Sequence, residues 1–281
     1  MISFGPGGNS ESFGKRKFPE DLPEYLREMG LNGYEIECGR GVRISEKTYR
    51  LLPEIAEKNG IYVTLHTPYF ISLSSENEET RLKSVSYINE SAIAADKLGI
   101  KKLVVHSGSC AKMTREAATE LAKDTLSRAQ KSLDEQGLSD IIICPETMGK
   151  INQLGTLSEV MELCGVDERF LPCVDFGHLN ARTLGGIKTE EDYKAILDEI
   201  EDKLGYDRLK NMHIHFSRIM YTSGGEKCHL TFGDKEYGPE FEPLMNQIIK
   251  RGLEPSVICE SAGTQAEDAA EMARYYNSER K

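Results

Sequence analysis

Eight short apolar segments alternate with eight helical segments along this 281-residue chain, and this alternation constrains the fold more than any other feature. The predicted strands cover residues 2–4, 33–38, 61–66, 102–106, 141–144, 171–175, 212–216 and 255–259. Strands that alternate with helices require a parallel sheet, and eight such units suit a closed (β/α)8 TIM barrel. We therefore predict an α/β fold in which residues 1–281 form one barrel domain.

The alternative fold is an open, doubly wound sheet. That fold commonly carries a Gly-x-Gly-x-x-Gly turn after its first strand, where the backbone approaches a dinucleotide. No such pattern follows residues 2–4 in this chain. The sequence therefore favours the closed barrel.

Six of the predicted strands end at, or within three residues of, a side chain that can bind a metal ion. These residues are separated by 29 to 47 positions, about one strand–helix unit each: His66, His106, Glu146, Asp175, His213 and Glu260. In a (β/α)8 barrel the C-terminal ends of all strands meet at one face, where active sites are built. The sequence therefore predicts that these six side chains converge.

None of the six histidines lies on a predicted helix; the remaining three are His178, His215 and His229. Each candidate ligand also has an ordinary structural interpretation. A strand-end histidine commonly makes a structural hydrogen bond, Asp175 could cap the helix that follows it, and Glu146 could position a loop. Together, however, these side chains exceed the three or four ligands of one zinc site. They fit two or three clustered divalent ions, which suit phosphoryl chemistry because they generate hydroxide and clamp both reacting oxygens.

Composition limits the expected partners and location. The net charge of −11 and the sequence pI of about 5.2 argue against a broad basic surface for nucleic acid, although a local positive site is compatible with both values. The N-terminus lacks the pattern of a signal peptide, and no apolar run approaches the roughly 20 residues that span a bilayer. The seven cysteines lack Cys-x-x-Cys pairs, and we expect them to be reduced. We expect a cytoplasmic protein without membrane contact or an obligate protein partner.

Motifs at the strand ends resemble those of the endonuclease IV family of apurinic/apyrimidinic endonucleases. The similar segments occur in the same order over nearly the whole chain: His66-Thr-Pro-Tyr69, His106-Ser-Gly-Ser109, Pro145-Glu-Thr147, Val174-Asp-Phe-Gly-His178, Met212-His213 and Cys259-Glu260. The resemblance implies a zinc-dependent hydrolase of DNA base excision repair, with two or three Zn²⁺, or Mn²⁺ in their place. Its substrate would be damaged double-stranded DNA, cleaved 5′ to an abasic sugar.

The resemblance also implies roles for individual residues. His66 and His106 would hold a first metal, which Glu146 bridges to a second metal held by Asp175, His213 and Glu260. His178 and His229 would hold a third metal, and Glu260, with Glu146, would serve catalysis by orienting or deprotonating the attacking water. Tyr69 and Phe70 stand where the family stabilises kinked DNA with a flipped-out abasic nucleotide. The alternative for these two aromatic residues is an apolar patch that packs a loop.

Two positions depart from the family pattern. Lys227 replaces the third-metal aspartate of an Asp-x-His pair, and an ammonium group has no lone pair to donate. His215 stands where the family has a polar amide, and it shares a strand face with His213. Candidates for the lost ligand are His215, which is a tentative metal ligand, Glu226 and Cys228. Alternatively, the third site is empty and Lys227 contacts a phosphate of the DNA.

A second function fits the same residues. Sugar isomerases or epimerases of the xylose isomerase-like barrels, which this chain also resembles, bind one divalent ion through a Glu, Asp, His, Glu set from late strands. Glu146, Asp175, His213 and Glu260 could supply that set, with the two glutamates moving protons beside a carbonyl. His66 and His106 favour the nuclease, because an isomerase needs no such pair. A third interpretation is a metal-binding barrel without activity.

Overall fold

The computed structural model describes residues 2–280 and contains ten strands. They are β1 Ser3–Pro6, β2 Gly33–Glu37, β3 Tyr62–His66, β4 Lys102–His106, β5 Ile142–Glu146, β6 Cys173–Asp175, β7 His213–Phe216, β8 Ile219–Thr222, β9 Gly225–His229 and β10 Ser256–Cys259. Eight of them pair in parallel in the order β1, β10, β7, β6, β5, β4, β3, β2, while β8 and β9 form a separate antiparallel hairpin. The predicted TIM barrel is confirmed, and each predicted strand overlaps a barrel strand.

Glycine allows the first and last strands of this order to meet. The Gly8 N–H donates to the Glu35 carbonyl at 3.0 Å, and the Asn32 N–H donates to the Phe4 carbonyl at 3.2 Å. A Cβ atom on Gly5 would lie 2.0 Å from the carbonyl oxygen of Gly33. The backbones of β1 and β2 can therefore approach this closely only because residue 5 has no side chain.

The helices surround the barrel: α1 Leu22–Met29, α2 Glu46–Asn59, α3 Glu78–Lys97, α4 Arg115–Glu135, α5 Leu157–Cys164, α6 Phe176–Arg182, α7 Glu190–Leu204, α8 Tyr206–Lys210, α9 Glu242–Arg251 and α10 Gln265–Glu279. Six begin after side-chain caps that each contribute about 1 kcal/mol: Ser45, Asn77, Thr114, Thr156, Asp175 and Thr189. The capping box predicted at Thr189 is present. Within residues 2–280, no helix has the length and apolar character needed to cross a membrane.

The sequence offered Asp175 as a helix cap but gave no bounds for the short helix α6, whose seven residues directly continue β6. Asp175 caps it, with Oδ1 accepting a hydrogen bond from the His178 N–H at 2.7 Å. The strand thus turns into a helix without a connecting loop. His178, in the first turn, stays close to the strand end.

The interior of the barrel contains both apolar and polar side chains. Val104, Cys144, Leu171 and Cys173, from β4 to β6 and the segment before β6, form a small buried apolar cluster. Buried polar residues of the barrel strands lie beside this cluster: Ser3, Glu35, Thr64, Lys102, His213 and Ser256. The Lys102 ammonium group, which enters from β4, donates hydrogen bonds to the Asn211 carbonyl and the Ser256 hydroxyl, each at 2.8 Å. Polar side chains therefore continue from the rim deep into the barrel.

Candidate metal centre

The ends of β3, β4 and β5 bring three predicted ligands together, which we call the first group: His66, His106 and Glu146. His106 and Glu146 are register partners in the sheet. Nε2 of His66 lies 3.4 Å, and Nε2 of His106 lies 3.3 Å, from Oε2 of Glu146. The three donor atoms lie within 4.8 Å of one another. Bonds of roughly 2.0–2.2 Å to one ion fit this spacing.

A second group of donor atoms, again within 4.8 Å, comes from Glu146, Asp175, His215 and Glu260. Nδ1 of His215 lies 3.2 Å from Glu146 Oε1 and 3.4 Å from Glu260 Oε1. Glu146 therefore faces the first group with Oε2 and the second group with Oε1. This carboxylate is placed to bridge two ions.

His213 lies one layer below this rim, whereas the sequence placed it among the rim residues. In the sheet register Asp175 lies beside His215, and His213 lies beside Cys173. The ring of His213 is fully buried, and its Nε2 lies 3.1 Å from Glu35 Oε2. Two inward residues of one strand occupy successive layers, and a motif does not reveal which layer reaches the rim. His215 thus occupies the position expected of His213.

The third group consists of His178, Glu226 and His229. Nε2 of His178 lies 3.5 Å from Glu226 Oε2, and the two histidine rings pack edge to face with centroids 5.4 Å apart. Their donor atoms lie within 4.8 Å of one another. Lys227 is exposed and takes no part in this group. Glu226, one of the candidates for the lost ligand, supplies the carboxylate.

A bulge in the β8–β9 hairpin explains why Glu226 joins the site and Lys227 does not. Glu226 pairs with Tyr221 and Cys228 pairs with Met220, which leaves Lys227 as an extra residue in β9. One extra residue reverses the alternation of side chains between the two faces of a strand. Residues 226 and 229 are three apart and would face opposite sides of a regular strand. The bulge lets both face the cleft.

The loop after β5 holds Glu226 in place. The Glu226 N–H donates to the Gly149 carbonyl at 3.1 Å, and a Cβ atom on Gly149 would lie 2.6 Å from the Cβ of Glu226. Arg182 of α6 braces the loop by donating to the carbonyls of Met148, Lys150 and Gln153 at 2.7–2.8 Å. The position of Glu226 thus depends on close packing between two loops.

Backbone groups orient two of the ligand histidines. Nδ1 of His66 lies 2.8 Å from the Thr67 carbonyl, and Nδ1 of His178 lies 3.0 Å from the Thr147 carbonyl. A carbonyl can only accept a hydrogen bond, so each Nδ1 carries the proton. In a neutral ring the lone pair then lies on Nε2, which faces the site. Outer hydrogen bonds of this kind are typical of metal-binding histidines.

Asp175 provides a test of whether a cation fits. Its Oδ1 caps α6, whereas its buried Oδ2 lies 3.2 Å from Nδ1 of His178 but accepts no hydrogen bond within residues 2–280. A buried carboxylate oxygen without a donor is costly unless an ion or water satisfies it. Imidazole nitrogens and carboxylate oxygens are also the donor types that Zn²⁺ prefers. The residues present therefore fit divalent ions.

Burial and nearby charges give the metal-free histidines very different pKa values. Burial lowers the pKa of His106 to about 3. Burial also acts to lower the pKa of His66, but the carboxylates of Glu37 and Glu146 outweigh it and raise this pKa to about 10. Asp175 and Glu146 likewise overcome burial and raise the pKa of His178 to about 10. Protons on His66 and His178 thus balance part of the negative charge of the carboxylates, and divalent ions could replace these protons.

The surroundings raise the pKa of Glu260 but lower that of Glu146. Burial is the largest cause that raises the pKa of Glu260 to about 8, and the negative charges of Glu146 and Asp175 add to it. The pKa of Glu146 falls well below its usual value because hydrogen bonds from His178, His215 and His66 outweigh its burial. Metal-free Glu260 is therefore largely protonated at neutral pH, whereas Glu146 is ionised.

Tyr69 and Phe70 lie on the loop after β3 but point to different neighbours. The Tyr69 ring stacks on His106 with centroids 5.3 Å apart, and its hydroxyl donates to Glu37 Oε2 at 3.2 Å. Phe70 packs edge to face on Tyr87 of α3. Both side chains remain about half exposed, at 56% and 49%. Tyr69 therefore lines the cleft, while Phe70 lies beside it.

The sequence-based prediction missed Glu35 and Glu37, two carboxylates of β2. Glu35 is fully buried below the second group, and Glu37 lines the cleft beside Tyr69. Their spacing of two residues on a predicted strand was the available signal, because it places both on one face. The cleft has a volume of about 540 Å³, and Lys150 is its one lysine or arginine among the described residues.

The fold and the site together define a TIM-barrel protein with a histidine- and carboxylate-rich centre at the C-terminal ends of its strands. The chain belongs to the xylose isomerase-like TIM barrel family, whose model matches residues 23–278. An uncharacterized protein of Methanocaldococcus jannaschii is 32% identical over 254 residues, which is 90% of each chain. A probable endonuclease 4 of Methanosphaera stadtmanae is 27% identical over 172 residues, covering 59% of this chain and 60% of that protein.

Solved structures show the same fold at lower identity. A D-tagatose 3-epimerase-like protein superimposes with a TM-score of 0.70 at 19% identity, covering 99% of this chain and 98% of the other. Endonuclease IV from Thermus thermophilus superimposes with a TM-score of 0.66 at 19% identity, covering 98% of both chains. Together with the curated relatives, these similarities confirm the family relationship indicated by the motifs. They leave the specific reaction open between nuclease and epimerase.

Proposed function

We propose that this protein is a metal-dependent phosphodiesterase that cleaves DNA 5′ to abasic sites, as the endonuclease IV family does. The observation that carries this proposal is the presence of three donor groups on one rim, two of which share Glu146. A one-metal isomerase requires only the second group. It has no use for the pair His66 and His106, nor for the separate set His178, Glu226 and His229.

We assign Zn²⁺, with Mn²⁺ as the alternative, to two or three sites. His66, His106 and Glu146 would hold the first ion, and Glu146, Asp175, His215 and Glu260 the second. His178, Glu226 and His229 would hold a third. Such ions supply Lewis acidity, lower the pKa of water and neutralise charge on a reacting phosphate. Glu260 lines the cleft and would orient the attacking water and accept its proton.

Side chains around the cleft suit a kinked nucleic acid better than a small sugar. Tyr69, Phe70 and Ile151 are exposed on the loops after β3 and β5. Exposed apolar side chains of this kind can fill the gap left by an unstacked nucleotide. Lys112 and Lys150 are exposed on the loops after β4 and β5, where they could contact phosphates despite the net charge of −11.

A sugar isomerase or epimerase that uses one divalent ion is the second candidate. The superposition on a D-tagatose 3-epimerase-like protein and the pairing of Glu146 with Glu260 in the second group favour it. Two carboxylates beside a metal can move protons at carbons next to a carbonyl. Glu37 adds a group in the cleft that could bind a sugar hydroxyl.

Metal content and strand cleavage separate the two candidates. We expect elemental mass spectrometry to find two or three ions per purified chain. We also expect the protein to nick a duplex immediately 5′ to a single abasic analogue and leave a 3′-hydroxyl. The matched undamaged duplex is the control and should remain intact. One ion per chain, no cleavage and turnover of ketoses would overturn the nuclease proposal in favour of the epimerase.

A further inference from the structure

Glu35 lies at the centre of the barrel and contacts both histidines of β7. Its side chain is fully buried. Oε1 lies 2.8 Å from His215 Nε2, and Oε2 lies 3.1 Å from His213 Nε2. The Thr64 hydroxyl donates to Oε2 at 2.7 Å. Both oxygens of this carboxylate thus have partners, and those partners come from two different strands.

The hydrogen bond to Glu35 determines which nitrogen of His215 can bind an ion. The Thr64 hydroxyl and Nε2 of His215 both lie within hydrogen-bond distance of the Glu35 carboxylate, which is therefore placed to accept from each of them. An ionised carboxylate only accepts hydrogen bonds, and Nε2 of His215 must therefore carry a proton. The lone pair of a neutral ring then lies on Nδ1. That atom faces Glu146 and Glu260 in the second group.

We propose that Glu35 is the positioning residue of the second metal group, holding His215 so that its Nδ1 faces a divalent ion. This inference rests on the proposed metal centre. His66 and His178 have neutral carbonyls behind them, whereas His215 has a charged carboxylate. A carboxylate partner fixes the ring and also makes the coordinating nitrogen a stronger donor.

His213 and Thr64 have a supporting role in this arrangement. Thr64 donates a hydrogen bond to the second oxygen of Glu35, and Nε2 of His213 packs 3.1 Å from the same oxygen without forming a hydrogen bond. Both contacts limit rotation of the carboxylate away from His215. His213 therefore acts through Glu35, although its motif resembles that of a metal ligand. The polar interior of the barrel forms a connected support beneath the rim.

A deeper ion is the competing arrangement. Donor atoms of Cys173, His213 and His215 also lie within 4.8 Å of one another. An ion there that took Nε2 of His215 would displace the 2.8 Å hydrogen bond between this atom and Glu35. It would also leave Nδ1 of a neutral ring protonated toward the second group. The hydrogen bond to Glu35 therefore favours the positioning role.

Glu35→Gln and Glu35→Ala test the proposal through metal affinity measured by competition with a chromophoric Zn²⁺ chelator. Glu35→Gln keeps a hydrogen-bond acceptor but removes the charge, so we expect one ion to bind about 10-fold more weakly. Glu35→Ala should weaken the same ion by about 100-fold. The affinities at the other sites should stay within about threefold of the wild-type values. That change is well below the roughly tenfold loss expected when a residue that supports a metal ligand is replaced.

Nitrogen NMR of the zinc-loaded protein provides a readout that general loosening of the barrel would not produce. In the wild-type protein, His215 should show a zinc-bound Nδ1 and a downfield, hydrogen-bonded proton on Nε2. In Glu35→Gln that proton should move upfield. Thr64→Val should cause a smaller shift in the same direction. Ser91→Ala, a buried change on α3 whose hydroxyl donates only to the Tyr87 carbonyl of the same helix, is the matched control and should change neither readout.

The possible failures of this test are distinguishable. Unchanged affinity and unchanged NMR signals in Glu35→Gln would overturn the role of Glu35 while leaving the metal centre intact. A thiolate-to-metal absorption band in the Co²⁺-loaded protein that disappears in Cys173→Ser would show the deeper ion instead. A wild-type protein without tightly bound metal would overturn the proposed function itself.

Discussion

The first and third donor groups use similar side chains but stand on different kinds of structure. His66, His106 and Glu146 end three adjacent barrel strands, and the sheet register fixes their separation. His178 stands on a short helix, and Glu226 and His229 stand on a bulged hairpin. The hydrogen-bonded strands that position the first group are part of the protein core. The third group instead depends on contacts between surface segments.

This difference predicts which site tolerates change. Rigid strands can hold metal ligands within a few tenths of an ångström, whereas loops need supporting contacts. The third group has such supports in the bulge, in Gly149 and in the bracing by Arg182. We therefore expect the first ion to bind tightly in most variants and the third ion to be the most easily lost.

His106→Ala should have the largest effect, because it removes a direct ligand from the rigid group. We expect one ion fewer per chain and a loss of abasic-site cleavage that exceeds the roughly 100-fold typical of changes outside the ligand shell. Elemental analysis and a nicking assay would measure both. Retained cleavage would show that the first group is unnecessary, and a one-ion reaction would then fit better.

The two histidines of β7 should behave differently when each is replaced. His215→Ala should remove the second ion and abolish activity, since Nδ1 of His215 faces Glu146 and Glu260. His213→Ala should keep the full number of ions and reduce affinity by about 10-fold through Glu35. Metal titration of the paired variants is the measurement. The reverse order would show that His213 is the ligand, as its motif indicates.

Gly149→Ala should disturb the third group alone. The added Cβ would lie 2.6 Å from the Cβ of Glu226 and would displace the hairpin. We expect the third ion to be lost or to bind at least about 10-fold more weakly, with the first two ions retained. A crystal structure of the variant should show Glu226 moved away from His178. Gly224→Ala, whose Cβ would meet only Thr222, is the matched control on the same hairpin.

The metal-free protein should lose stability as the pH rises from about 6.5 to 9. The pKa values of His66 and His178 are about 10 in the folded chain, against roughly 6.5 when unfolded. Between these two values the folded chain keeps protons on both histidines that the unfolded chain has lost. This difference stabilises the folded state, and the stabilisation is lost as the pH rises toward 10.

Glu260 acts in the same direction up to its pKa of about 8, because the folded state keeps a proton that the unfolded chain loses near pH 4.3. His106, with a folded pKa of about 3, opposes this trend only below pH 6.5. Thermal unfolding at several pH values, with and without Zn²⁺, would measure the slope. A flat profile without metal would contradict it, and Zn²⁺ should reduce the slope by displacing the protons.

Lys227→Ala should have the smallest effect. Lys227 is exposed on the bulge, and Glu226 supplies the carboxylate of the third group. We expect an unchanged number of ions and less than a threefold change in cleavage. The salt dependence of DNA binding should decrease by at most the contribution of one phosphate contact. Loss of an ion would show that Lys227 takes part in the third site.

The sequence identified the rim residues on regular strands far better than those on irregular segments. His66, His106 and Glu146 each end an apolar run, and parallel strands must bring such ends together. Glu226 stayed one of several candidates because the bulge that turns it inward leaves no clear mark in the residue pattern. The bounds of the short helix α6 were missed since a seven-residue element directly after a strand has no periodicity to detect.

The exchange of His213 and His215 has a different cause. Both residues face the barrel interior, and strand periodicity alone permits either to be the ligand. The choice depends on how far β7 is staggered against β6, which places Asp175 beside His215. Stagger between strands is a property of the closed barrel, and no segment of the chain encodes it locally.

By itself, the sequence determined the eight alternating strand–helix units, the closed barrel and the set of side chains that could meet at its rim. These properties follow from hydrophobic periodicity and from the polarity of parallel strands, which act along the chain. Only the tertiary structure decided which side chains share a group, that Glu146 faces two groups and that Glu35 stands behind His215. Those properties depend on stagger, bulges and loop packing between distant segments, where a shift of one residue exchanges one neighbour for another.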